Sequence, residues 1–158
     1  MKTLVLACLG LVLAGCQSAP PRPVRTERAR FLLESPEAGA ELITLPQSGV
    51  QISVQPKPVF TEFDIVNVEI AQVDMGMCLM FQLTPTASKD LAELTAANRG
   101  RRLVLTINGV PMGARRIVEP LDLGALLIFV EAPDSVVPAL VENLQETSAA
   151  LQADNAQR

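Results

Sequence analysis

The sequence predicts an α+β fold, in which a mainly antiparallel sheet carries two amphipathic helices on one face. Three observations lead to this prediction. Apolar residues recur at every second position in several short runs between residues 42 and 130, which is the period of a β-strand. Two further segments, 85–99 and 137–151, space their apolar residues as a helix does. Short turns separate most of the runs, and strands joined by short turns pair antiparallel.

Two pairs of predicted strands form hairpins. The runs 42–45 and 50–54 flank a four-residue connection of turn-forming residues, Pro46-Gln47-Ser48-Gly49. The runs 103–107 and 110–118 flank Asn108-Gly109, the strongest two-residue hairpin signal in the chain. The remaining predicted strands are 65–73, 77–83 and 124–130.

Each predicted helix has a recognisable start. Thr84 is the expected N-cap of the first helix, with Pro85 at its first position and Gly100 as its stop. The segment 133–135 before the second helix offers Ser135 as an N-cap. The apolar stripe of this helix ends at Leu151, so residues 153–158 are predicted to fray.

The N-terminus carries the pattern of a lipoprotein signal. An apolar run over residues 3–14 is too short to span a bilayer but has the length of a signal-peptide core. Residues 13–16, Leu-Ala-Gly-Cys, resemble a bacterial lipobox. The resemblance implies a signal peptide over 1–15 and a mature chain that begins at a lipidated Cys16. Gln17 at the second mature position implies the periplasmic side of the outer membrane. The alternative is an ordinary secretory signal with an incidental cysteine.

Residues 16–39 are the predicted tether, and residues 40–152 are the predicted folded domain. The tether begins QSAPPRPVRTERAR, which is rich in proline and arginine, lacks an apolar period and favours an extended, semi-stiff spacer. Folding is expected to begin near Phe31 or Ala40, and we place the boundary at 40. The arginines of the tether either contact anionic headgroups and cell-wall polymer or lie in solvent.

Composition excludes several classes of function. The chain has no His, Trp or Tyr, and therefore lacks the commonest general base and metal ligand and most aromatic platforms for sugars and bases. One of the 13 basic residues, Lys2, leaves with the signal, so 12 remain against 17 acidic residues and the mature charge is about −5. Such a chain is not expected to bind nucleic acid. With Cys16 lipidated, Cys78 has no cysteine to pair with. No cofactor is expected.

Three short motifs follow one another along the domain in a characteristic order. They are PVFTEFDI (58–65), FQLTP (81–85) leading to LTAANRGRRL (94–103), and INGVP (107–111). Together they resemble the head part of the first periplasmic domain of SecD, over roughly residues 58–144. The resemblance implies a SecD-head-like fold that can engage partner polypeptides or shift as a module.

The chain departs from that family after the second hairpin. Only residues 121–124 and Ile128 remain of the family's glycine-rich loop, and Glu131 stands where its last glycine falls. The sequence shows no second apolar run of spanning length that would match SecD's transmembrane helices. The resemblance therefore implies the fold and does not imply a translocase.

Four sulfur-containing residues lie close together in sequence: Met75, Met77, Cys78 and Met80. Thioethers and thiols are the ligands that Cu(I) prefers, which suggests a copper site in a periplasmic protein. Side chains alternate between the two faces of a strand, so Met75 and Met77 are expected on one face and Cys78 and Met80 on the other. The four sulfurs then cannot converge, and we predict packing and no metal site.

The candidate contact surface is a group of arginines on the second hairpin. We call it the arginine cluster, and it consists of Arg101, Arg102, Arg115 and Arg116. If Asn108-Gly109 forms a two-residue turn, Arg102 lies opposite Arg115, and Arg101 lies opposite Arg116. A bulge at 111–113 shifts this register by one residue.

Like charges that face each other across two strands destabilise the sheet unless something offsets them. One offset is internal, through nearby carboxylates or through solvation of the side chains. The other is an anionic partner, such as a lipopolysaccharide phosphate, a cell-wall carboxylate or an acidic peptide. The carboxylates expected to pair with the arginines internally are Glu69, Glu119, Asp122 and Glu131.

These observations predict a lipid-anchored, periplasm-facing, non-enzymatic binding or scaffolding module of the cell envelope. Its partners are the membrane, through the lipid, and an unidentified envelope protein or anionic component. One alternative, an accessory factor of the secretion machinery, rests on the resemblance to SecD. Another is a small envelope enzyme that uses carboxylates, with Asp64, Glu69 and Glu119 as its first candidates.

Overall fold

Eight strands, two α-helices and one 3₁₀ turn make up residues 26–157, the part of the chain that the computed structural model describes. The strands are β1 (Ala29–Leu33), β2 (Glu41–Thr44), β3 (Gln51–Val54), β4 (Ile65–Val73), β5 (Gly76–Leu83), β6 (Arg102–Ile107), β7 (Val110–Arg116) and β8 (Ala125–Ile128). The helices are α1 (Pro85–Ala97) and α2 (Val137–Ala156), and the 3₁₀ turn covers Glu62–Asp64.

The strands form two three-stranded sheets and one separate hairpin. The first sheet has the order β1-β6-β7, the second has the order β4-β5-β8, and β2 pairs with β3. Each of these pairings is antiparallel. The predicted α+β fold class, with mainly antiparallel pairing, is confirmed.

The two three-stranded sheets meet where β7 passes β8 and the residues that follow it. The Glu131 N–H donates to the Met112 carbonyl at 2.6 Å, and Arg115 Nη1 donates to the Leu127 carbonyl at 3.0 Å. Gly113 permits this approach, because a Cβ at that position would lie 2.0 Å from the carbonyl oxygen of Phe129. The sheets therefore join at a contact between two backbones that a larger residue would prevent.

One hydrophobic core lies between the two sheets and the two helices. Phe31 of β1 and Phe81 of β5 pack edge to face with ring centroids 5.1 Å apart, and both rings are fully buried. Leu91 of α1 and Leu144 of α2 belong to the same cluster. Both helices therefore cover the side of the sheets that carries this core, as their amphipathic spacing predicted.

The β2–β3 hairpin covers the opposite face of the first sheet. Ile52 and Val54 of β3 pack against Val104 of β6 in a second, smaller core. Leu103 and Leu105 flank Val104 in sequence and face the main core instead, because side chains alternate along a strand. β6 is consequently buried on both faces.

Glu131 fastens the tip of this hairpin. Its carboxylate accepts hydrogen bonds from the N–H groups of Gln47 and Ser48, both at 2.9 Å, and from the Ser48 hydroxyl at 2.6 Å. Partial desolvation raises the pKa of Glu131, but the bonds from Ser48 and Gln47 outweigh it and hold the pKa below its ordinary value. The carboxylate is therefore charged at neutral pH and ties the hairpin to the residues after β8.

Local sequence signals account for the start of α1 but not for that of α2. The Thr84 hydroxyl accepts a hydrogen bond from the Ala87 N–H at 3.3 Å, which confirms the predicted N-cap. The predicted cap of α2 at Ser135 is wrong. Val136 occupies the N-cap position, and its N–H donates to the Pro133 carbonyl at 3.0 Å, so a preceding turn leads directly into the helix.

The predicted boundary of the folded domain at residue 40 is wrong. β1 lies inside the segment assigned to the tether and pairs with β6 along its whole length. Alternation within β1 places Phe31 in the core and directs Arg30 to the buried Glu62, with 3.1 Å between Nε and Oε2. The proline and arginine content of the surrounding segment obscured this strand.

The residues just before β1 are also bonded to the domain. The Glu27 N–H donates to the Thr147 hydroxyl at 3.0 Å, and the Arg28 N–H donates to the side-chain oxygen of Asn108 at 2.9 Å. The Asn108 N–H donates in return to the Arg28 carbonyl at 3.0 Å. The chain is thus attached to α2 and to the β6–β7 turn before the first strand begins.

The C-terminal helix is longer than predicted. α2 continues to Ala156, so residues 153–156 of the predicted frayed tail are helical. The predicted signal peptide (1–15) and Cys16 lie outside the described residues. Within 26–157, neither helix combines the length and the apolar character needed to cross a bilayer.

Candidate functional site

The arginine cluster lies on β6, β7 and the turn before β6, in a register that differs from the one that a two-residue turn predicts. Arg102 faces Arg116 and Leu103 faces Arg115, so the predicted pairings of Arg102 with Arg115 and of Arg101 with Arg116 are both wrong. The ladder shifts between Leu105 and Thr106, where Met112 is left unpaired. Pro111 has no N–H to donate at this point, and the bulge considered in the sequence accounts for the shift.

The charge repulsion between the opposed residues Arg102 and Arg116 is only partly offset within the domain. Arg102 Nη1 lies 3.5 Å from Glu34 Oε1, a carboxylate that was not among the four expected partners. Arg116 is exposed, and no ion pair joins it to another residue in 26–157. Glu131 and Glu69 are engaged elsewhere, with the hairpin tip and with Asn67.

The other two arginines of the cluster lie apart from this pair. Arg115 is held by its bond to the Leu127 carbonyl, at the seam between the sheets. Arg101 lines a separate cavity of about 420 Å³ together with Glu34, Ser53 and Leu42, on the side of the β2–β3 hairpin. The structure therefore brings Arg115 and Arg116 to one cavity at the seam, whereas Arg101 lines a different cavity with Glu34, the ion-pair partner of Arg102.

A groove on the outer surface of the seam joins two of these arginines to apolar residues. We call it the sheet groove, and its volume is about 490 Å³. Ala114 connects it to the smaller core under the β2–β3 hairpin. Met75 is 82% exposed and Phe129 is 37% exposed, so the groove is open to solvent. The sheet groove is lined by Val73, Met75, Cys78, Ala114, Arg115, Arg116, Leu127 and Phe129.

Cys78 forms part of the floor of the sheet groove. Its side chain is fully buried, and its Sγ–H donates to the Ala71 carbonyl at 3.5 Å. Burial raises the pKa of the Cys78 thiol, and the nearby charge of Arg115 only partly opposes that effect. The thiol is therefore protonated at neutral pH, and it is unreactive because the thiolate is the reactive form.

The sulfur-containing residues do not gather at one point. Met77 packs against the main core, whereas Cys78 lines the groove on the other face of β5, which agrees with the predicted alternation. Met75 was expected on the face of Met77 but shares the groove with Cys78, because it lies in the β4–β5 turn where alternation no longer applies. No group of three or more His, Cys, Asp or Glu suited to a metal occurs in 26–157.

The three candidate catalytic carboxylates lie in three different environments. Asp64 accepts hydrogen bonds from the Thr61 N–H at 2.8 Å and the Thr61 hydroxyl at 3.1 Å, and so caps the 3₁₀ turn. Glu69 accepts a hydrogen bond from Asn67 on β4 at 2.8 Å. Glu119 lines a cavity of about 400 Å³ beside the loop after β7. Within residues 26–157, no hydrogen bond joins any two of these three carboxylates.

The apolar floor of the sheet groove was missed in the sequence. Leu127 and Phe129 alternate with Leu126 and Ile128, which are fully buried in the main core. A strand that is apolar on both faces indicates two covering layers. Within the described residues, only the main core covers β8, on one of its two faces. The apolar residues on the other face are the sequence signal that indicates an open apolar surface.

Comparison with solved structures supports the SecD-like fold. A crystal structure of SecDF in a super-membrane-facing form superposes with a TM-score of 0.56 at 19% identity, covering 81% of this chain and 19% of that one. A structure of SecDF, described as a membrane component that enhances protein export, superposes with a TM-score of 0.57 at 16% identity. It covers 79% of this chain and 63% of that one.

This chain therefore spans less than two thirds of the length of either SecDF structure. No protein-family model and no curated protein sequence matches it. At these identities the likeness establishes the fold, which confirms the architecture that the three sequence segments implied.

Proposed function

We propose that this chain is a non-catalytic binding module of the bacterial cell envelope that holds a polypeptide in the sheet groove. The observation that carries the proposal is the combination of an open apolar floor at Leu127 and Phe129 with the charge of Arg116, which has no ion-pair partner within residues 26–157. Exposed apolar grooves rimmed by polar residues are typical of interaction sites. The dispersed carboxylates Asp64, Glu69 and Glu119 favour binding over catalysis.

Groove-directed photocrosslinking tests this function. A photoreactive amino acid at Leu127 should yield crosslinks to polypeptide in intact cells. The same amino acid at Glu142, which is exposed on α2, provides a surface control. Crosslinks that form equally at both positions, or only at Glu142, would contradict a binding site in the groove.

We further propose that the module is anchored by lipid on Cys16 at the periplasmic side of the outer membrane. The lipobox pattern that ends at Cys16 supports the anchor, and Gln17 supports the outer membrane. The described domain starts within about ten residues of Cys16, a segment that spans at most about 35 Å when extended. The start of the domain is then held within that distance of the membrane surface.

Replacement of the lipidated cysteine tests the anchor. Cys16→Ser should abolish lipid labelling and leave either an unprocessed precursor or a soluble periplasmic form, because the thiol is the attachment point. Metabolic labelling with a radioactive fatty acid and membrane fractionation measure both effects. Cys8→Ser is the matched control and should retain the label. Unchanged labelling of Cys16→Ser would disprove the anchor.

The fold favours a second candidate function, that of an accessory factor in protein export. Its support is the likeness to SecDF, which is described as enhancing protein export. Crosslinks from Leu127 to translocase subunits or to proteins in transit would support it. Crosslinks confined to resident envelope proteins would favour the general binding module instead.

A further inference from the structure

We infer that the sheet groove selects an extended polypeptide segment in which acidic side chains alternate with apolar ones. The inference rests on the proposed function and specifies the chemical class of the partner. Arg116, assisted by Arg115, binds the acidic side chains. The floor around Leu127 and Phe129 takes the apolar side chains between them.

Arg116 is the residue to which we assign an external anion. It lies directly across from Arg102, on the same face of the sheet, so the two guanidinium groups repel each other. Glu34 offsets Arg102 at 3.5 Å, while Arg116 has no ion-pair partner among the described residues. A carboxylate from outside the domain both pairs with Arg116 and relieves the repulsion.

Arg115 supplies directed donors beside this charge. Its Nη1 is fixed by the Leu127 carbonyl at 3.0 Å, which leaves the remaining N–H groups of the guanidinium for a second acceptor. Glu119 and Asp122 line the adjoining cavity with Arg115, yet neither forms an ion pair with it within 26–157. A fixed guanidinium with spare donors suits a carboxylate, which accepts two N–H groups at once.

The shape of the groove favours a peptide over a lipid. Its floor is open, with Phe129 37% exposed and Met75 82% exposed, so a lipid acyl chain laid there would stay largely in water. An extended peptide contacts a sheet surface through every second side chain. The intervening side chains point away from the floor and toward solvent, where the exposed guanidinium of Arg116 lies at the rim.

The position of the arginines also favours a polypeptide in the periplasm over lipid of the anchoring membrane. The chain enters the first sheet at Ala29, which pairs with Ile107 at one end of β6. Arg102 and Arg116 pair at the other end of this six-residue strand, about 17 Å away. An anchor that precedes residue 26 therefore attaches at the end of the sheet remote from the arginines.

Binding of two designed peptides to the full chain in detergent tests the inference. One fluorescein-labelled peptide alternates leucine with aspartate, and the other alternates leucine with asparagine, which has nearly the same shape without the charge. We expect the aspartate peptide to bind at least about tenfold more tightly in fluorescence anisotropy at low salt. The preference should shrink severalfold at about 0.3 M salt, where exposed charges are screened.

Two arginine variants locate the selectivity. Arg116→Gln should remove most of the tenfold preference for the aspartate peptide while leaving the affinity for the asparagine peptide unchanged. Arg99→Gln removes the same charge from an exposed arginine that does not line the groove, and should retain the preference. Circular dichroism confirms that each variant is folded.

The outcomes separate this inference from the proposed function. If both peptides bind equally, and Leu127→Asp abolishes both, the acidic selectivity is overturned while the binding groove stands. If neither peptide binds, both proposals are overturned. Binding to phosphatidylglycerol vesicles that Arg116→Gln abolishes would then identify a lipid as the occupant, and a concentration-dependent dimer lost in Arg116→Gln would identify a second copy.

Discussion

At the scale of single residues, Gly113 determines how the two sheets meet. The backbones of β7 and of the residues after β8 approach so closely that a Cβ on Gly113 would lie 2.0 Å from the Phe129 carbonyl oxygen and 3.1 Å from its carbonyl carbon. The obstacle is backbone, which cannot rotate away as the end of a side chain can. The geometry of the sheet groove beside it, which Ala114 and Phe129 help to line, depends on this one small residue.

Gly113→Ala should therefore destabilise the domain by about 3 kcal/mol or more, because overpacking against backbone forces the two sheets apart. Chemical denaturation followed by circular dichroism measures the loss. Gly100→Ala is the control, since Gly100 has a φ of +87° but open space around it, and should cost only about 1 kcal/mol. Equal losses in the two variants would show that the contact at Phe129 relaxes.

At the scale of elements, the β2–β3 hairpin is held by a small core and by one carboxylate. Ile52 and Val54 pack on Val104, and Glu131 binds the tip through Gln47 and Ser48. The carboxylate pKa lies below its ordinary value in the folded chain. A group with a lowered folded pKa stabilises the fold above its unfolded pKa, near 4.3, and loses this contribution as the pH falls through the folded pKa.

Glu131→Gln should lower stability at pH 7 by at most about 1 kcal/mol, because the bonded carboxylate is partly exposed. The difference between the variant and the original chain should then disappear as the pH falls from about 5 through the lowered pKa of Glu131. Thermal unfolding across this pH range measures both effects. Glu142→Gln removes an exposed carboxylate on α2 and serves as the control. A difference that stays constant with pH would contradict the role of the charge.

At the scale of the whole molecule, β1 joins the first sheet to the second. It forms the edge of the first sheet, and its Phe31 packs on Phe81 of the second sheet. The tether predicted over 16–39 therefore includes a strand whose side chains form part of the main core. A domain cut at residue 40 would expose Leu103 and Leu105, which lie beside β1 in the sheet.

A chain that starts at Ala40 should fail to unfold cooperatively, whereas one that starts at Thr26 should be folded. Loss of a buried phenylalanine alone costs about 3–5 kcal/mol, which is a large part of the stability of an ordinary domain. Thermal unfolding by circular dichroism distinguishes the two chains. A cooperative transition for the shorter chain would show that β1 is dispensable.

Much of the architecture could be predicted because it depends on local signals. Asn108 and Gly109 both have a positive φ, 53° and 82°, as a two-residue hairpin requires. The register beyond the turn could be predicted only as two alternatives, with and without a bulge at 111–113, because the choice depends on how closely Gly113 approaches Phe129 after β8. That approach is a tertiary contact, and no pattern of neighbouring residues encodes it.

The candidate site could be predicted only in part for a similar reason. The charges of Arg115 and Arg116 are visible in the sequence, and the structure places both at the sheet groove. The apolar floor at Leu127 and Phe129 depends on where the β2–β3 hairpin lies, since it packs on Val104 in the first sheet and leaves β8 open. Which face of a sheet another element covers is a property of the whole fold.

The bonds that precede β1 give the domain a particular response to mechanical load. A pull from the N-terminal side is borne first by the Glu27 bond to Thr147 and by the reciprocal bonds between Arg28 and Asn108. Tension thus passes into α2 and the β6–β7 turn before it reaches the edge strand. Force is shared among elements far apart in sequence, and the strand is shielded from being peeled away one hydrogen bond at a time.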